Sequence, residues 1–253
     1  AVSAGFFVKK PRGDGIRFVA DYAGVNKALE RPPQHFPAPE EVWQRVTPGS
    51  KFFVAADLAA GYWQCELDEE SSLLSTCLTE FGKVRFTRLP MGISSSGDYF
   101  NQATDKVIDG MTDIVKEVDD VLMFSSTLEG VAQNLEELLT RFEKNNVTLA
   151  PKKFQFGEQV LFAGMRITKD GCAPDPARME AIEQYPSPKN RSQVRQLLGL
   201  VQQFSRWVPD MAPATQNIRA LLRKNTAFVW SPECQAEFAQ MKSVLTDERY
   251  NKP

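Results

Sequence analysis

Apolar and polar positions alternate along this chain in two periods, and the switches between them locate its elements. The run "FFVKKPRGDGIRFVADY" sets aromatic and β-branched residues on either side of a Pro/Gly/Asp turn, which predicts a hairpin with a basic tip. "RPPQHFPAPEEVWQRV" begins as a proline-rich connector and predicts a short helix after Pro39, ended by "TPGS". "KFFVAADL" predicts a buried strand, and "TCLTEFGKVRFTRLP" a second hairpin around "EFGK". "MGISSSGDYFNQATDKVIDGM" opens on small residues and continues as a helix. Leu128, Val131, Leu135, Leu138, Leu139 and Phe142 fall at helical spacing, and "QVLFAGMRIT" beyond Pro151 reads as one strand. After Gly171 no further strong strand is expected: "APDPARMEAIEQYPSPKN" reads as a helix and linker. Val194, Leu197, Leu198, Val201 and Phe204 mark a helix, and "APATQNIRALLRK" another. A boundary near residue 171 thus separates a mixed α/β part from a small helical part.

Composition adds constraints. With 42% hydrophobic residues, the 253-residue chain can build a real core, yet no run approaches a membrane span, so no membrane partner is expected. Cys65, Cys77, Cys172 and Cys234 are widely spaced and His35 is the only histidine, which argues against structural zinc and fits free thiols in a cytosolic or nuclear compartment. The net charge of −2 is unevenly spread. Residues 178–224 carry eight Lys or Arg against three acids, a local +5, and residues 1–27 carry +3. Basic ends around an acidic middle suit a polyanion held beside a metal; random patchiness is the competing reading.

Candidate chemistry concentrates in "VKEVDDVLMFS", residues 115–125, where Asp119 and Asp120 stand between two strand-like runs. Adjacent strand residues face opposite sides, so a tight hairpin at "VDD" is needed to bring both carboxylates to one edge; an ordinary acidic turn is the alternative. Asp57 ends another apolar strand, and pairing of the two strands would gather three carboxylates. Such a group repels itself unless a divalent cation sits within it, and oxygen ligands alone favour Mg²⁺ or Mn²⁺. Two such ions about 4 Å apart form the clamp used for in-line phosphoryl transfer.

The order of these segments resembles the reverse transcriptase of gypsy-type LTR retrotransposon Pol polyproteins. The resemblance is carried by "FFVKKPRGDGIRFVADYAGVNK", "KFFVAADLAAGYWQ", "FTRLPMGISSSGDYFNQATDKV", "VDDVLMFS", "LFAGMRIT", "PSPKNRSQVRQLLGL" and "FVWSPECQAEFAQMKSVL", in that order, from about Phe6 to about Leu245. It implies an α+β right-hand polymerase: fingers, a ferredoxin-like antiparallel palm sheet flanked by helices, and a helical thumb. The implied segments are 1–32 (fingers, truncated at its start), 33–64 (palm), 65–94 (fingers), 95–170 (palm), 171–225 (thumb) and 226–253 (start of a connection). It further implies template-directed DNA synthesis on RNA or DNA, with two Mg²⁺ ions (Mn²⁺ as substitute) on Asp57, Asp119, Asp120 and the Leu58 carbonyl. Lys10 and Arg17 resemble the triphosphate clamp, Tyr62 the ring beneath the nucleotide sugar, and Met91 and Gly92 the block supporting the nucleotide. Lys152 or Lys153 stands where a lysine protonates leaving pyrophosphate. Phe162, Gly164 and Met165 resemble the primer grip. Gly199, Gln202 and Gln203 resemble a helix tracking the minor groove, with Arg191, Arg195 and Arg206 for phosphates. Asp21, Asn26 and Lys27 also match family positions.

The implied partners are a template–primer duplex, dNTPs, and an RNase H domain or second subunit. No RNase H carboxylate set is visible, so no RNA cleavage is expected of this chain, which reads as an excised or divergent portion of a polyprotein. The implied place is a cytoplasmic retroelement particle, with the nucleus as alternative. Three positions depart from the pattern: Glu117 stands where a tyrosine is usual, Met91 where an aromatic or glutamine is usual, and Asp98 where a small or apolar residue is usual. Alternation sets Glu117 on the face opposite Val118, so it either joins the carboxylates or points away. Two rival readings stand beside the polymerase: a catalytically inactive scaffold that binds nucleic acid or protein, and another palm-type Mg²⁺ enzyme such as a cyclase.

Overall fold

The structure is a computed structural model describing residues 2–9, 15–31, 41, 44–204, 208, 211–224 and 226–247. Lys10, Arg206 and most of the helix expected after Pro39 lie outside the described residues. By contact the chain divides into two compact units, Ala1–Gly157 and Glu158–Pro253. That division falls ahead of the composition change near 171.

In the first unit, β1 (Ser3–Lys9) and β2 (Ile16–Asp21) form the expected antiparallel hairpin, with Phe7 opposite Phe18. They join β4 (Cys77–Thr79) and β5 (Gly82–Val84) in a sheet ordered β2-β1-β4-β5. The second sheet of this unit, ordered β6-β7-β3-β8, positions the site. It comprises β3 (Phe52–Asp57), β6 (Ile114–Glu117), β7 (Asp120–Ser125) and β8 (Gln155–Gly157). Val121, Leu122, Met123 and Phe124 are all buried, so β7 is covered on both faces and reads as a continuous apolar run rather than an alternating one. On one face Val54, Val121 and Met123 pack with Phe100, Val131, Leu138 and Phe142 from the Ser96–Ile108 and Leu128–Lys144 helices. The Thr127 side chain caps the second of these, accepting from the Gly130 N–H.

In the second unit, a sheet ordered β11-β10-β9 accompanies helices Pro176–Glu183, Arg191–Gln202, Gln216–Ala220 and Pro232–Leu245. Ile182, Val194, Leu197, Ile218, Phe238 and Met241 form the centre of its core. Three expectations change here. "QVLFAGMRIT" is a hairpin, β9 (Gln159–Phe162) and β10 (Met165–Thr168), because Ala163 (φ 51°) and Gly164 (φ 75°) turn the chain. A further strand, β11 (Gly171–Pro174), pairs with β10; its four residues, "GCAP", are too short and too glycine- and proline-bounded to announce a strand. "APATQNIRALLRK" breaks into a 3-10 turn, Pro213–Thr215, and the short helix Gln216–Ala220. All four cysteines are free thiols, and among the described residues no helix is long and apolar enough to cross a membrane.

Candidate active site

The register between β3 and β7 places Asp57 directly opposite Asp120. One step on, the Leu58 N–H donates to the Asp119 carbonyl at 2.8 Å. Glu117 pairs with Asp120 across β6 and β7, leaving Val118 and Asp119 as the two-residue turn expected at "VDD". Residues directly opposite one another share a sheet face, so Glu117, Asp120 and Asp57 form a row on one side. Glu117 thus shares a sheet face with Asp57 and Asp120, while the charges that act on the Asp120 carboxyl are those of Asp119, Asp57 and Lys153. Val118 sits at φ 57°, a conformation that strains a β-branched residue by about 1–3 kcal/mol and persists only where surrounding contacts over-determine it.

The electrostatics follow from this crowding. Burial first, then the charges of Asp119 and Asp57 and a hydrogen bond with Asp57, push the Asp120 carboxyl up to about 6, against the opposing pull of Lys153. Lys153 Nζ lies 2.6 Å from Asp57 Oδ2. That hydrogen bond, reinforced by all three aspartates, holds the Lys153 ammonium above the ordinary lysine range. Of the two adjacent lysines, Lys153 is therefore the one at the carboxylates, while Lys152 on the same Pro151–Lys153 turn is exposed.

A cleft of about 400 Å³ opens beside them, lined by Asp57, Leu58, Tyr62, Met91, Asp119 and Lys153 among others. Tyr62 lies on the 3-10 turn Gly61–Gln64, its ring edge-on to Phe100 at 5.3 Å, so it is both partly packed and open to the cleft. Met91 is exposed at the rim. Gly92 has φ 97°, and a Cβ there would touch the Tyr22 ring at 3.4 Å. The loop is held by Asn26, which donates to the Gly92 carbonyl at 2.9 Å and accepts from the Ser94 N–H at 2.8 Å. The matching of Asn26 to a family position gave the residue but not this clamp. Asp21 accepts from the Ala23 N–H at 3.0 Å, Lys27 is exposed, and Arg17 is exposed on β2 opposite Val8. Asp98, the third departure, is buried, its side chain only 4% exposed, and takes two bonds from the Arg31 guanidinium at 2.6 and 3.0 Å. The guanidinium holds the Asp98 carboxyl below the usual range. A larger hollow of about 590 Å³ between Val25, Leu67, Leu89 and Tyr99 contains none of the three aspartates, so size alone does not locate the chemistry.

In the second unit, Phe162 and Met165 are core residues paired across β9 and β10; only the turn between them is open. The Arg178 guanidinium lies over Gly164, where a Cβ would meet it at 2.2 Å, and donates to Gln203 Oε1 at 3.3 Å. Arg195, Gly199, Gln202 and Gln203 fall on one exposed stripe of the Arg191–Gln202 helix and its end. Arg191 instead turns inward and donates to the carbonyls of Leu221 and Thr226.

Three carboxylates and a carbonyl make a hard, all-oxygen donor set that fits Mg²⁺ or Mn²⁺. The aspartates are gathered rather than closed. Among the described residues no three acidic, thiol or imidazole side chains converge to ion-holding spacing.

Comparison with known proteins identifies the family and the fold. Residues 8–167 match the family described as Reverse transcriptase (RNA-dependent DNA polymerase). The Pol polyprotein of transposon 412 from Drosophila melanogaster is 29% identical over 232 residues, covering 90% of this chain and 19% of that protein. The Tf2-3 polyprotein of Schizosaccharomyces pombe is 26% identical over 246 residues, covering 94% and 18%. The chain thus spans about a fifth of the length of these relatives. A foamy viral protease–reverse transcriptase in complex with RNA/DNA hybrid shares the fold at TM-score 0.88 and 22% identity, over 96% of this chain and 33% of that one. A related foamy viral structure in complex with double-stranded DNA gives TM-score 0.86 and 22% identity, over 97% and 44%. With its matched region, its α+β polymerase fold and its paired aspartates, the chain belongs to the reverse transcriptase (RNA-dependent DNA polymerase) family.

Proposed function

We propose that this chain carries the polymerase centre of an LTR-retrotransposon Pol protein and adds dNTPs to a primer 3′-OH under direction of an RNA or DNA template. The observation that carries the reading is the register of Asp57 opposite Asp120, with Asp119 on the turn between β6 and β7, at a cleft shared with Tyr62, Met91 and Lys153.

Asp57, Asp119, Asp120 and the Leu58 carbonyl would hold two Mg²⁺ or Mn²⁺ ions. Such ions, when bound, activate the attacking hydroxyl and stabilise charge on the leaving oxygens. The chain's own residues do the rest. Tyr62 lies under the nucleotide sugar, where a 2′-hydroxyl collides with its ring. Arg17, with Lys10, neutralises the triphosphate. Lys153 holds a proton beside Asp57 and delivers it to the departing pyrophosphate. In the second unit, the exposed stripe of Arg195, Gly199, Gln202 and Gln203 follows the duplex, and the turn at Ala163–Gly164 abuts the primer end. The foamy viral structures in complex with double-stranded DNA and RNA/DNA hybrid support a template–primer duplex as partner.

Glu117 favours a second reading, a catalytically inactive scaffold, since a fourth carboxylate in the row with Asp57 and Asp120 would repel a primer phosphate. Primer extension on RNA and DNA templates in Mg²⁺ separates the two. Template-directed incorporation lost in Asp119→Asn supports the polymerase; no incorporation by the unaltered chain, with template–primer still bound, supports the scaffold.

A further inference from the structure

Directly beneath the catalytic turn lies a charged group that the chemistry above leaves without a role. Lys116, on β6, pairs with Val121 and so faces the helices rather than the aspartates. Its side chain is only 2% exposed. The ammonium donates to Asn101 Oδ1, lies 3.1 Å from Asp105 Oδ1, and reaches the carbonyls of Asn101 and Val118, each at 3.5 Å. Asn101 is itself buried and donates to Asp105 Oδ2 at 3.3 Å. Asn101 and Asp105 are one turn apart on the Ser96–Ile108 helix. The same helix carries Phe100, whose ring meets Tyr62.

Burying an ammonium costs several kcal/mol after relaxation, and an apolar residue of similar volume is often as stable or more so. Stability therefore does not explain a lysine here, whereas its contacts do. It bonds at once to the helix behind Tyr62 and to the carbonyl of Val118, the strained residue immediately before Asp119. A positive-φ valine needs neighbours that hold it in place, and the ammonium is one of them.

We propose that Lys116 is a positioning residue: it ties the Val118–Asp119 turn to the Ser96–Ile108 helix and so sets Asp119 in register with the Tyr62 side of the cleft. The assignment of Asp119 to catalysis rests on the polymerase reading; the tie itself does not. Burial pulls the Lys116 ammonium below the ordinary lysine range, while Asp105 and Asp119 pull it back, which places Asp119 within its field.

The test pairs Lys116→Met with Asp105→Asn, the latter at a half-exposed position that keeps the shape of the side chain. Hydrogen exchange is followed through residues 114–125 of the metal-free protein, alongside steady-state primer extension. Loss of the ammonium's bond to the Val118 carbonyl should speed exchange at Val118–Asp120 by on the order of tenfold in Lys116→Met, and by less in Asp105→Asn, where that bond remains. In primer extension kcat falls while KM for dNTP stays within about threefold, the split expected when geometry rather than binding is lost. Unchanged exchange at the turn in both variants overturns the proposal, as does faster exchange spread through the whole first unit. If the unaltered chain lacks polymerase activity, the polymerase reading fails while the exchange result still decides the tie.

Discussion

Lys152 and Lys153 share one 3-10 turn, yet only Lys153 reaches a carboxylate. Position thus separates two residues that sequence could not. If Lys153 delivers the proton to pyrophosphate, Lys153→Met should slow single-turnover incorporation by about 10²-fold, the low end of general-acid contributions. Lys152→Met, which removes a solvated charge, should stay within about twofold. Equal losses in the two variants would count against this role for Lys153. The aspartates themselves were legible, because a carboxylate closing an apolar strand has few structural reasons to be there. The contacts of Asn26, Asp98 and Lys116 were not. Each is explained by a partner distant in the chain: Gly92 lies 66 residues from Asn26, Arg31 lies 67 from Asp98, and Asn101 lies 15 from Lys116. No local pattern carries those pairings.

At the scale of elements, two hairpins behaved differently under the same reading. The turn at Val118–Asp119 was visible because two carboxylates interrupt an apolar run. The turn at Ala163–Gly164 reads in sequence as continuous strand, although a signal is present. Val160, Phe162, Met165 and Ile167 are all buried, and the interval of two lengthens to three across the turn. A side chain at Gly164 also fits poorly. At φ 75° an alanine costs about 1–2 kcal/mol, and its Cβ would meet the Arg178 guanidinium as well. Gly164→Ala should therefore lower the urea midpoint. Adding Arg178→Ala should recover the steric part and leave the backbone part. Strictly additive losses would mean that the guanidinium moves aside without penalty.

At the scale of the whole chain, the net charge of −2 conceals a basic segment, residues 178–224. Overall charge is thus a poor guide to whether this protein meets a polyanion, and the placement of each cation decides. Arg195 is exposed on the stripe with Gly199 and Gln202, whereas Arg191 is engaged with the carbonyls of Leu221 and Thr226. Both arginines looked equivalent in sequence, since helical spacing does not reveal which one caps a neighbouring segment. Their substitutions should separate cleanly in a salt titration of template–primer binding. A cation that contacts one duplex phosphate contributes about 0.9 to the slope of log K against log salt, so Arg195→Ala should make that slope shallower by about one. Arg191→Ala should leave the slope intact and instead lower the thermal midpoint, because two carbonyls lose their donor. A slope change in Arg191→Ala, with none in Arg195→Ala, would place the duplex on a different face of this unit.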